Sequence, residues 1–217
     1  MEDLSRHSRA EEESEPIVFI IDDDSLYRAS TERLVRSVAF RVQSFESARE
    51  FFSSRRPNVA SCLLLDVRMP GLSGLDLQLE LAKAGLQIPI IFVTGHGDIP
   101  MSVQAMKAGA VEFLVKPFRD QALLDAINQA IARDRVARRQ RSRNTQLHRR
   151  YESLGPRERQ VFKCVVSGML NKQIADELGT TERTIKFHRG QIMRKMEVKS
   201  VAELVRIAGV LGIAGQV

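Results

Sequence analysis

Residues 61–70 read SCLLLDVRMP, a short apolar run that ends on Asp66 and is followed by a Pro70-Gly71 turn. Apolar runs of this length, bounded by a turn, are typical of strands that are buried on both faces of a parallel sheet. Asp66 is then expected at the carboxyl end of a central strand, which is the edge where open α/β sheets bind ligands. The stretch therefore predicts a site built around the carboxylate of Asp66.

The first part of the chain alternates between short apolar runs and amphipathic segments. The other predicted strands cover residues 17–21, 41–45, 88–94 and 112–115. Ser25 is expected to cap the helix that follows the first strand, and Leu26 is expected on the apolar side of that helix. A fivefold βα alternation favours an α/β doubly wound, five-stranded parallel sheet covered by helices on both faces. We assign residues 17–135 to this domain. Residues 1–16 hold almost nothing to bury and are expected to form a disordered N-terminal tail.

The second part of the chain shows no strand pattern. A helix predicted after Arg119 runs into an arginine-rich stretch, and no turn signal interrupts residues 120–150. Arginine and glutamine are good helix formers, so a long helix is favoured over a frayed basic segment. We assign residues 136–150 to a basic, helical linker whose arginines either face solvent or contact DNA phosphates. Residues 151–217 are assigned to a small all-α domain with a helix-turn-helix pattern, in which Asn171 and Thr181 cap successive helices.

Composition narrows the class of protein. The 217 residues are 43% hydrophobic and 28% charged, which suits one large or two small globular domains. A net charge of +6 favours an acidic partner, of which nucleic acid is the simplest. No apolar stretch approaches the ~18 residues of a membrane helix, and no secretory signal is evident, so we expect a cytoplasmic protein without membrane contact. Cys62 and Cys164 are expected to be buried thiols rather than a disulfide or a redox pair.

Side chains that suit phosphoryl transfer follow four of the predicted strands. The residues expected at this one sheet edge are Asp22, Asp23, Asp66, Thr94 and Lys116. A carboxylate nucleophile needs its charge balanced against an incoming phosphoryl group. A divalent cation held by acids provides that balance, and a lysine adds further positive charge. The adjacent acids 22–24 either face solvent or hold such a cation, and oxygen-ligated Mg2+ fits the second case.

These motifs resemble the receiver domain of two-component response regulators over residues 17–135. The matching pieces are Asp22-Asp23, Asp66 with Met69-Pro70-Gly71, Thr94-Gly95 and Lys116-Pro117-Phe118. The resemblance implies that Asp66 is phosphorylated by a sensor histidine kinase or a small phosphodonor. It implies a Mg2+ site made by Asp22, Asp23, Asp66 and the backbone carbonyl of Arg68. It also implies that Lys116 contacts the phosphoryl group and precedes a cis peptide bond to Pro117.

The same resemblance implies a conformational switch. A phosphoryl group adds roughly −1.5 to −2 charges and strong acceptor oxygens. Thr94 is expected to move toward it and Phe113 to rotate into the vacated space, which would reshape the surface around the fourth helix and fifth strand and favour a homodimer. The alternatives are a plain strand-end hydroxyl for Thr94 and a plain core aromatic for Phe113. His96, in the loop after Thr94, is either a donor to the phosphoryl group or a solvated residue.

Residues 151–213 resemble the LuxR-type helix-turn-helix of NarL/FixJ response regulators. The matching segments are 154–159, 171–175 and 184–188. The resemblance implies double-stranded DNA as the partner, with a recognition helix over 182–196 in the major groove. It also implies that the last helix dimerises on DNA, and two-fold symmetry would then require an inverted-repeat operator. The apolar stripe of that helix either pairs with a second copy or packs in the core; it consists of Val201, Leu204, Val205 and Ala208.

The recognition helix has a predicted core side and a free, basic side. The residues assigned to DNA binding are Thr184, Lys186, Phe187, His188, Arg189, Arg194 and Lys195. The resemblance places Lys186 and Phe187 toward the bases and His188 toward the DNA backbone. Core packing is the alternative for Phe187. Gly190 departs from the family, in which several relatives carry a longer side chain.

The sequence therefore predicts a phosphorylation-activated, DNA-binding transcription regulator that is not an enzyme beyond its own phosphotransfer. One alternative is an aspartyl-phosphate hydrolase of the haloacid dehalogenase type. Such enzymes place a second acid two residues after the nucleophile, where Arg68 stands here. A second alternative is a receiver whose output domain binds RNA or protein, and the basic recognition helix argues against it.

Overall fold

The computed structural model describes residues 15–95 and 98–213. All but the last two residues of the predicted N-terminal tail, and His96, therefore lie outside the described residues. The chain divides into two compact units, Met1–Arg138 and Arg139–Val217. In the described part of the chain, no helix has both the length and the apolar composition needed to cross a membrane.

The first unit is built on a five-stranded parallel sheet in the order β2-β1-β3-β4-β5, which confirms the predicted fold class. The strands are β1 (Ile17–Ile21), β2 (Arg41–Phe45), β3 (Ser61–Asp66), β4 (Ile90–Thr94) and β5 (Glu112–Val115). Ile21 pairs with Leu65, and Asp66 pairs with Val93. Because the strands end in step, the residues at their carboxyl ends are brought to one edge of the sheet.

Helices cover both faces of this sheet. They are α1 (Ser25–Ser37), α2 (Ala48–Ser53), α3 (Gly74–Lys83), α4 (Ile99–Lys107) and α5 (Asp120–Glu152). Successive strand residues point to opposite faces, so Phe19 and Leu63 enter one core cluster while Val18 and Leu64 enter the other. The 33 residues of α5 include the arginine-rich stretch as well as the core-facing Ile127.

The start of α1 differs from the prediction. Asp24, rather than Ser25, caps the helix, since its carboxylate accepts hydrogen bonds from the amides of Leu26 and Tyr27 at 2.9 and 3.1 Å. Leu26 was expected on the apolar side of this helix, yet it is 82% exposed. In the first turn Tyr27 packs against the core instead, and farther along the helix Val35 is fully buried.

The second unit is helical. After the last turns of α5 it contains α6 (Pro156–Val166), α7 (Asn171–Glu177), α8 (Glu182–Met196) and α9 (Val201–Val210). Thr181 caps α8 as predicted, accepting from the amide of Thr184 at 3.2 Å. Asn171 is the first residue of α7 and not its cap, because Gln173 reaches back to the amide of Leu170 at 2.8 Å.

The two cysteines lie in different units, and both are free and buried, as predicted. Cys62 belongs to the sheet core, and burial raises the pKa of its thiol well above the usual range. A thiol that stays protonated is a poor nucleophile and a poor metal ligand. Cys62 and Cys164 therefore contribute to packing, not to chemistry.

Candidate functional site

Three carboxylates meet at the carboxyl edge of the sheet. Asp22 and Asp23 follow β1, Asp66 ends β3, and each offers an oxygen within 4.8 Å of the other two. Asp22 is only 3% exposed, whereas Asp23 is exposed to solvent. The parallel register brings together acids that are separated by more than forty positions in the sequence.

Lys116 reaches this acidic cluster from the end of β5. Its ammonium lies 2.8 Å from Asp22 Oδ2 and 3.5 Å from Asp66 Oδ2. The peptide bond that follows it, to Pro117, is cis. The acids outnumber this single ammonium by two, so the cluster keeps an excess of negative charge.

The charge of Asp22 is only partly compensated. Burial raises the pKa of Asp22 above its ordinary value, and the neighbouring charge of Asp66 acts in the same direction. Hydrogen bonds from Lys116 and from the amide of Asp24, the latter at 2.9 Å, oppose the shift. A carboxylate in this state favours a nearby positive charge, whether a proton or a cation.

The loop after Asp66 folds back on that residue. One oxygen of Asp66, Oδ1, accepts from the amide of Arg68 at 3.2 Å, and the amide of Gly74 donates to the carbonyl of Val67 at 2.9 Å. A Cβ added at Gly74 would lie 2.3 Å from the backbone carbonyl oxygen of Asp66. Sequence reasoning missed Gly74, although a glycine at the first position of a helix that follows Asp66 was the available signal.

Thr94 and Phe113 lie on adjacent strands beside the cluster. Thr94 ends β4, is fully buried and pairs in register with Val115. Phe113 is half-buried, pairs with Phe92, and its ring centroid lies 6.1 Å from that of Phe92. Phe113 pairs with Phe92, which is two residues before Thr94 on β4. Because side chains alternate along a strand, Thr94 and Phe113 therefore lie on the same face of the sheet.

The second unit presents one face of α8 to solvent. Ile185, Ile192 and Met196 are buried in the core, as the sequence predicts. Lys186 and Arg194 are exposed, and Phe187 is 62% exposed, so the core-packing alternative for Phe187 is excluded. Three predicted DNA-binding side chains are therefore open to a ligand.

The remaining predicted side chains of α8 are half-buried. Arg189 donates to Asn171 Oδ1 at 2.8 Å. Thr184 lies 2.9 Å from the hydroxyl of Thr181, and the His188 ring lies 5.8 Å from the Phe187 ring. Of these contacts, the bond from Arg189 to Asn171 joins α8 to α7, whereas the other two lie within α8 and its cap.

Lys195 does not lie on the free face where the prediction put it. Its ammonium lies 2.6 Å from Glu158 Oε2 of α6. The residue precedes the buried Met196, so helical geometry places it at the border of the core, where α6 packs. The lysine is engaged in an internal ion pair, and this corrects its assignment to the exposed basic side.

Two basic residues near this face were missed from the sequence. Arg183 is exposed and shares a stripe with Phe187, Gly190 and Arg194 at helical spacing, which is the signal that would have found it. Lys172 lines an open groove between α7 and α8. The groove is lined by Leu170, Asn171, Lys172, Glu182, Lys186 and Arg189.

Two stretches of the chain match known protein families. Residues 18–128 match the response regulator receiver domain, and residues 152–208 match the luxR family of bacterial regulatory proteins.

Known proteins match the chain over nearly its whole length. The chain is 53% identical to nodulation protein W of Bradyrhizobium diazoefficiens, over 94% of this chain and 90% of that protein. It is 42% identical to the transcriptional regulatory protein FixJ of Azorhizobium caulinodans, over 91% and 93% of the two chains. Among solved structures, the response regulator StyR is 48% identical with a TM-score of 0.81, and the match covers 90% of this chain and 99% of that chain.

Proposed function

Because this chain belongs to the response regulators that join a receiver domain to a LuxR-type DNA-binding domain, we propose that Asp66 is its phosphoryl acceptor. The protein is a phosphorylation-dependent transcription regulator whose partners are a sensor kinase and DNA. The grouping of Asp22, Asp23 and Lys116 around the Asp66 carboxylate is the observation that carries the assignment. Asp22 already accepts a short bond from Lys116, which leaves Asp66 as the better-placed nucleophile.

A Mg2+ ion fits the same cluster. Its donors are carboxylate oxygens, the ligands that this hard cation prefers, and three of them lie within 4.8 Å of one another. The raised pKa of Asp22 supports the fit, because a cation would offset that buried charge. Asp22, Asp23 and Asp66, with the backbone carbonyl of Arg68, would hold the ion. When bound, it would supply positive charge against the carboxylates and the phosphoryl oxygens.

Lys116, Thr94 and Phe113 are proposed to respond to the phosphoryl group. The Lys116 ammonium lies 3.5 Å from Asp66 Oδ2, so a small movement brings it to a phosphoryl oxygen attached there. Thr94 ends the adjacent strand and supplies a hydroxyl donor. Phe113 lies on the same sheet face and is only half-buried, which supports its rotation when Thr94 moves.

We propose that phosphorylation promotes a homodimer through α4 and β5. These elements carry a group of exposed apolar side chains. Monomeric proteins usually keep the area of such exposed apolar patches small. They are Ile99, Val103, Met106 and Val115. In a two-fold dimer the same patch of both copies would be buried together.

DNA recognition is assigned to the exposed face of α8. Lys186 and Phe187 are proposed to face the bases, with Arg183 and Arg194 beside them on the same stripe. Exposed Val201 and Val205 on α9 support pairing of two copies, while Leu204 and Ala208 of the same predicted stripe pack in the core. A two-fold dimer of this unit would require an inverted-repeat operator.

Labelling with acetyl phosphate tests the acceptor. We expect Asp66→Asn to abolish incorporation of phosphate from ³²P-labelled acetyl phosphate in the presence of Mg2+. Asp76→Asn is the matched control, because Asp76 is an exposed acid at the start of α3 that bonds to the hydroxyl of Ser73. Labelling of Asp66→Asn at the rate of the parent protein would refute the assignment.

A further inference from the structure

The ammonium of Lys116 has a third neighbour besides the two acids. Its Nζ lies 3.4 Å from the centroid of the Tyr27 ring, directly over the ring face. An aromatic face attracts a cation, and the attraction grows where the pair is shielded from water. Lys116 and Tyr27 are both partly buried, and they come from opposite ends of the receiver sequence. The proposed phosphoryl site therefore has an aromatic wall that the motifs do not contain.

The Tyr27 ring is itself held in place. It forms a T-shaped pair with Phe118, with centroids 6.5 Å apart and ring planes at 83°. Its backbone amide is fixed by the Asp24 cap. Burial raises the pKa of Tyr27 to about 12, and the charges of Asp22 and Asp66 act in the same direction. The ring thus stays neutral and presents a fixed face to the ammonium.

A lysine that serves this site must exchange partners. Before transfer its shortest bond is to Asp22, at 2.8 Å, but during transfer it has to bind an oxygen of the phosphoryl group on Asp66. The lysine side chain is long and flexible, so holding its head in one place costs conformational entropy. A contact that persists during the exchange of partners would reduce that cost.

We propose that Tyr27 is a positioning residue that keeps the ammonium of Lys116 over the acceptor carboxylate while the lysine changes partners. The inference rests on the proposed role of Asp66. With acetyl phosphate as donor, an oxygen of Asp66 forms a bond to phosphorus as the bond from phosphorus to the acetate oxygen breaks. Acetate leaves with the electron pair. Tyr27 takes no part in these bonds and acts only through Lys116.

The test compares labelling rates of full-length variants with acetyl phosphate and Mg2+. Tyr27→Leu keeps apolar bulk but removes the ring, and we expect its rate to fall about fivefold to tenfold, as loss of a shielded cation–π contact predicts. Tyr27→Phe keeps the ring and should stay within about twofold of the parent protein. Leu26→Ala is the control, because this neighbouring side chain points to solvent, and its rate should not change.

A double variant separates positioning from packing. In a Lys116→Met background, Tyr27→Leu should produce no further loss, because its target is gone. An equal further loss there, or an unchanged rate for Tyr27→Leu alone, would overturn the proposal. Labelling that survives in Asp66→Asn would instead count against the acceptor assignment, so the two failures are distinguishable.

A spectroscopic measurement on the parent protein gives a test that needs no destabilising variant. A side chain over a ring face experiences a ring-current shift, so the ε-CH2 protons of Lys116 should resonate upfield in the parent protein. The shift should persist in Tyr27→Phe. Lysine ε-CH2 protons that all resonate at their usual position in the parent protein would overturn the proposal.

Discussion

The carboxylate of Asp134 accepts a hydrogen bond from the backbone amide of Ser61 at 2.9 Å, although the two residues are 73 positions apart. Asp134 lies on α5 and is 1% exposed, and Ser61 opens β3, the strand that ends on Asp66. Arg138 compensates the buried charge, with its Nε 2.6 Å from the same carboxylate. The pair anchors α5 to the central strand at the edge opposite the acidic cluster.

We expect Asp134→Leu to destabilise the first unit by about 1–3 kcal/mol, the cost of leaving a buried backbone donor without its acceptor, because Arg138 is half-buried and keeps its bond to Asn58. The variant leaves the Ser61 amide and the Arg138 guanidinium without this acceptor. Urea denaturation of the full chain measures the loss. Asp125→Asn, an exposed acid on the same helix, should change stability by less than about 0.5 kcal/mol. Equal stability of the two variants would contradict the anchoring role.

Gly74→Ala should disturb the acceptor loop. The added Cβ would meet the Asp66 carbonyl oxygen at 2.3 Å, so the backbone has to shift. We expect a loss of about 1–3 kcal/mol, typical of overpacking, together with slower labelling by acetyl phosphate. Gly190→Ala is the matched control because nothing lies within 4 Å of its added Cβ, and its labelling rate should match that of the parent protein. Normal labelling of Gly74→Ala would show that the loop tolerates the shift.

Ile99→Glu should prevent the phosphorylation-induced dimer while leaving phosphorylation by acetyl phosphate intact. Ile99 is 80% exposed on α4, and a charge there opposes burial against a second copy. Light scattering after size-exclusion chromatography, before and after acetyl phosphate treatment, measures the mass. Leu79→Glu is the control, since Leu79 is exposed on α3 instead. If phosphorylated Ile99→Glu still forms a dimer, the dimer interface must lie on another surface.

Lys186→Ala should weaken binding to the specific operator more than binding to unrelated DNA. A side chain that reads bases is worth about 1–3 kcal/mol of discrimination. Gel shifts with both DNAs over a range of salt concentrations measure the two affinities. Lys163→Ala removes one exposed charge from α6 instead and serves as the control. Equal losses on both DNAs would make Lys186 a phosphate contact only.

The pair between Glu158 and Lys195 should make the second unit sensitive to acid. Burial disfavours the charged carboxylate, but Lys195 at 2.6 Å and the Gly155 amide at 2.7 Å hold the pKa of Glu158 below its usual value. A pKa that is lower in the folded state contributes stability above the unfolded value, and this is lost as the pH falls through the folded pKa.

Glu158→Gln removes the charge of that pair. It should cost about 1–3 kcal/mol at pH 7, as loss of a charged hydrogen bond does. The difference in free energy of unfolding between this variant and the parent protein should shrink as the pH falls below the usual pKa of glutamate. Urea denaturation followed by circular dichroism at several pH values measures both effects. Glu182→Gln, an exposed acid of α8, is the control. A loss of stability that does not change with pH would show that the ion pair is not its cause.

Local patterns were sufficient for the elements and for the chemistry at the sheet edge. The apolar run before Asp66 predicted a central strand, and the alternation of strands and helices predicted the parallel sheet. Both predictions were possible because strand burial and helix amphipathicity produce patterns that repeat every few residues in the sequence. The core side of α8, with Ile185, Ile192 and Met196, followed from helical spacing in the same way.

Contacts between distant segments could not be obtained from such patterns. Lys195 was misassigned because its partner Glu158 lies 37 positions away, and helical spacing cannot tell a solvent-facing lysine from one beside another helix. Leu26 was expected inside because it is apolar, but in the first turn of α1 the neighbouring Tyr27 packs against the core and Leu26 is left exposed.

The sequence by itself determined which residues end the strands, and with them the acids, the threonine and the lysine available at one edge. Only the tertiary structure decided that the Tyr27 ring covers Lys116, that Asp134 anchors the central strand and that Gly74 touches the backbone of Asp66. The physical reason is that these contacts join residues far apart in the sequence. Periodicity reports the environment of a residue along its own element, whereas these three contacts depend on how separate elements pack in space.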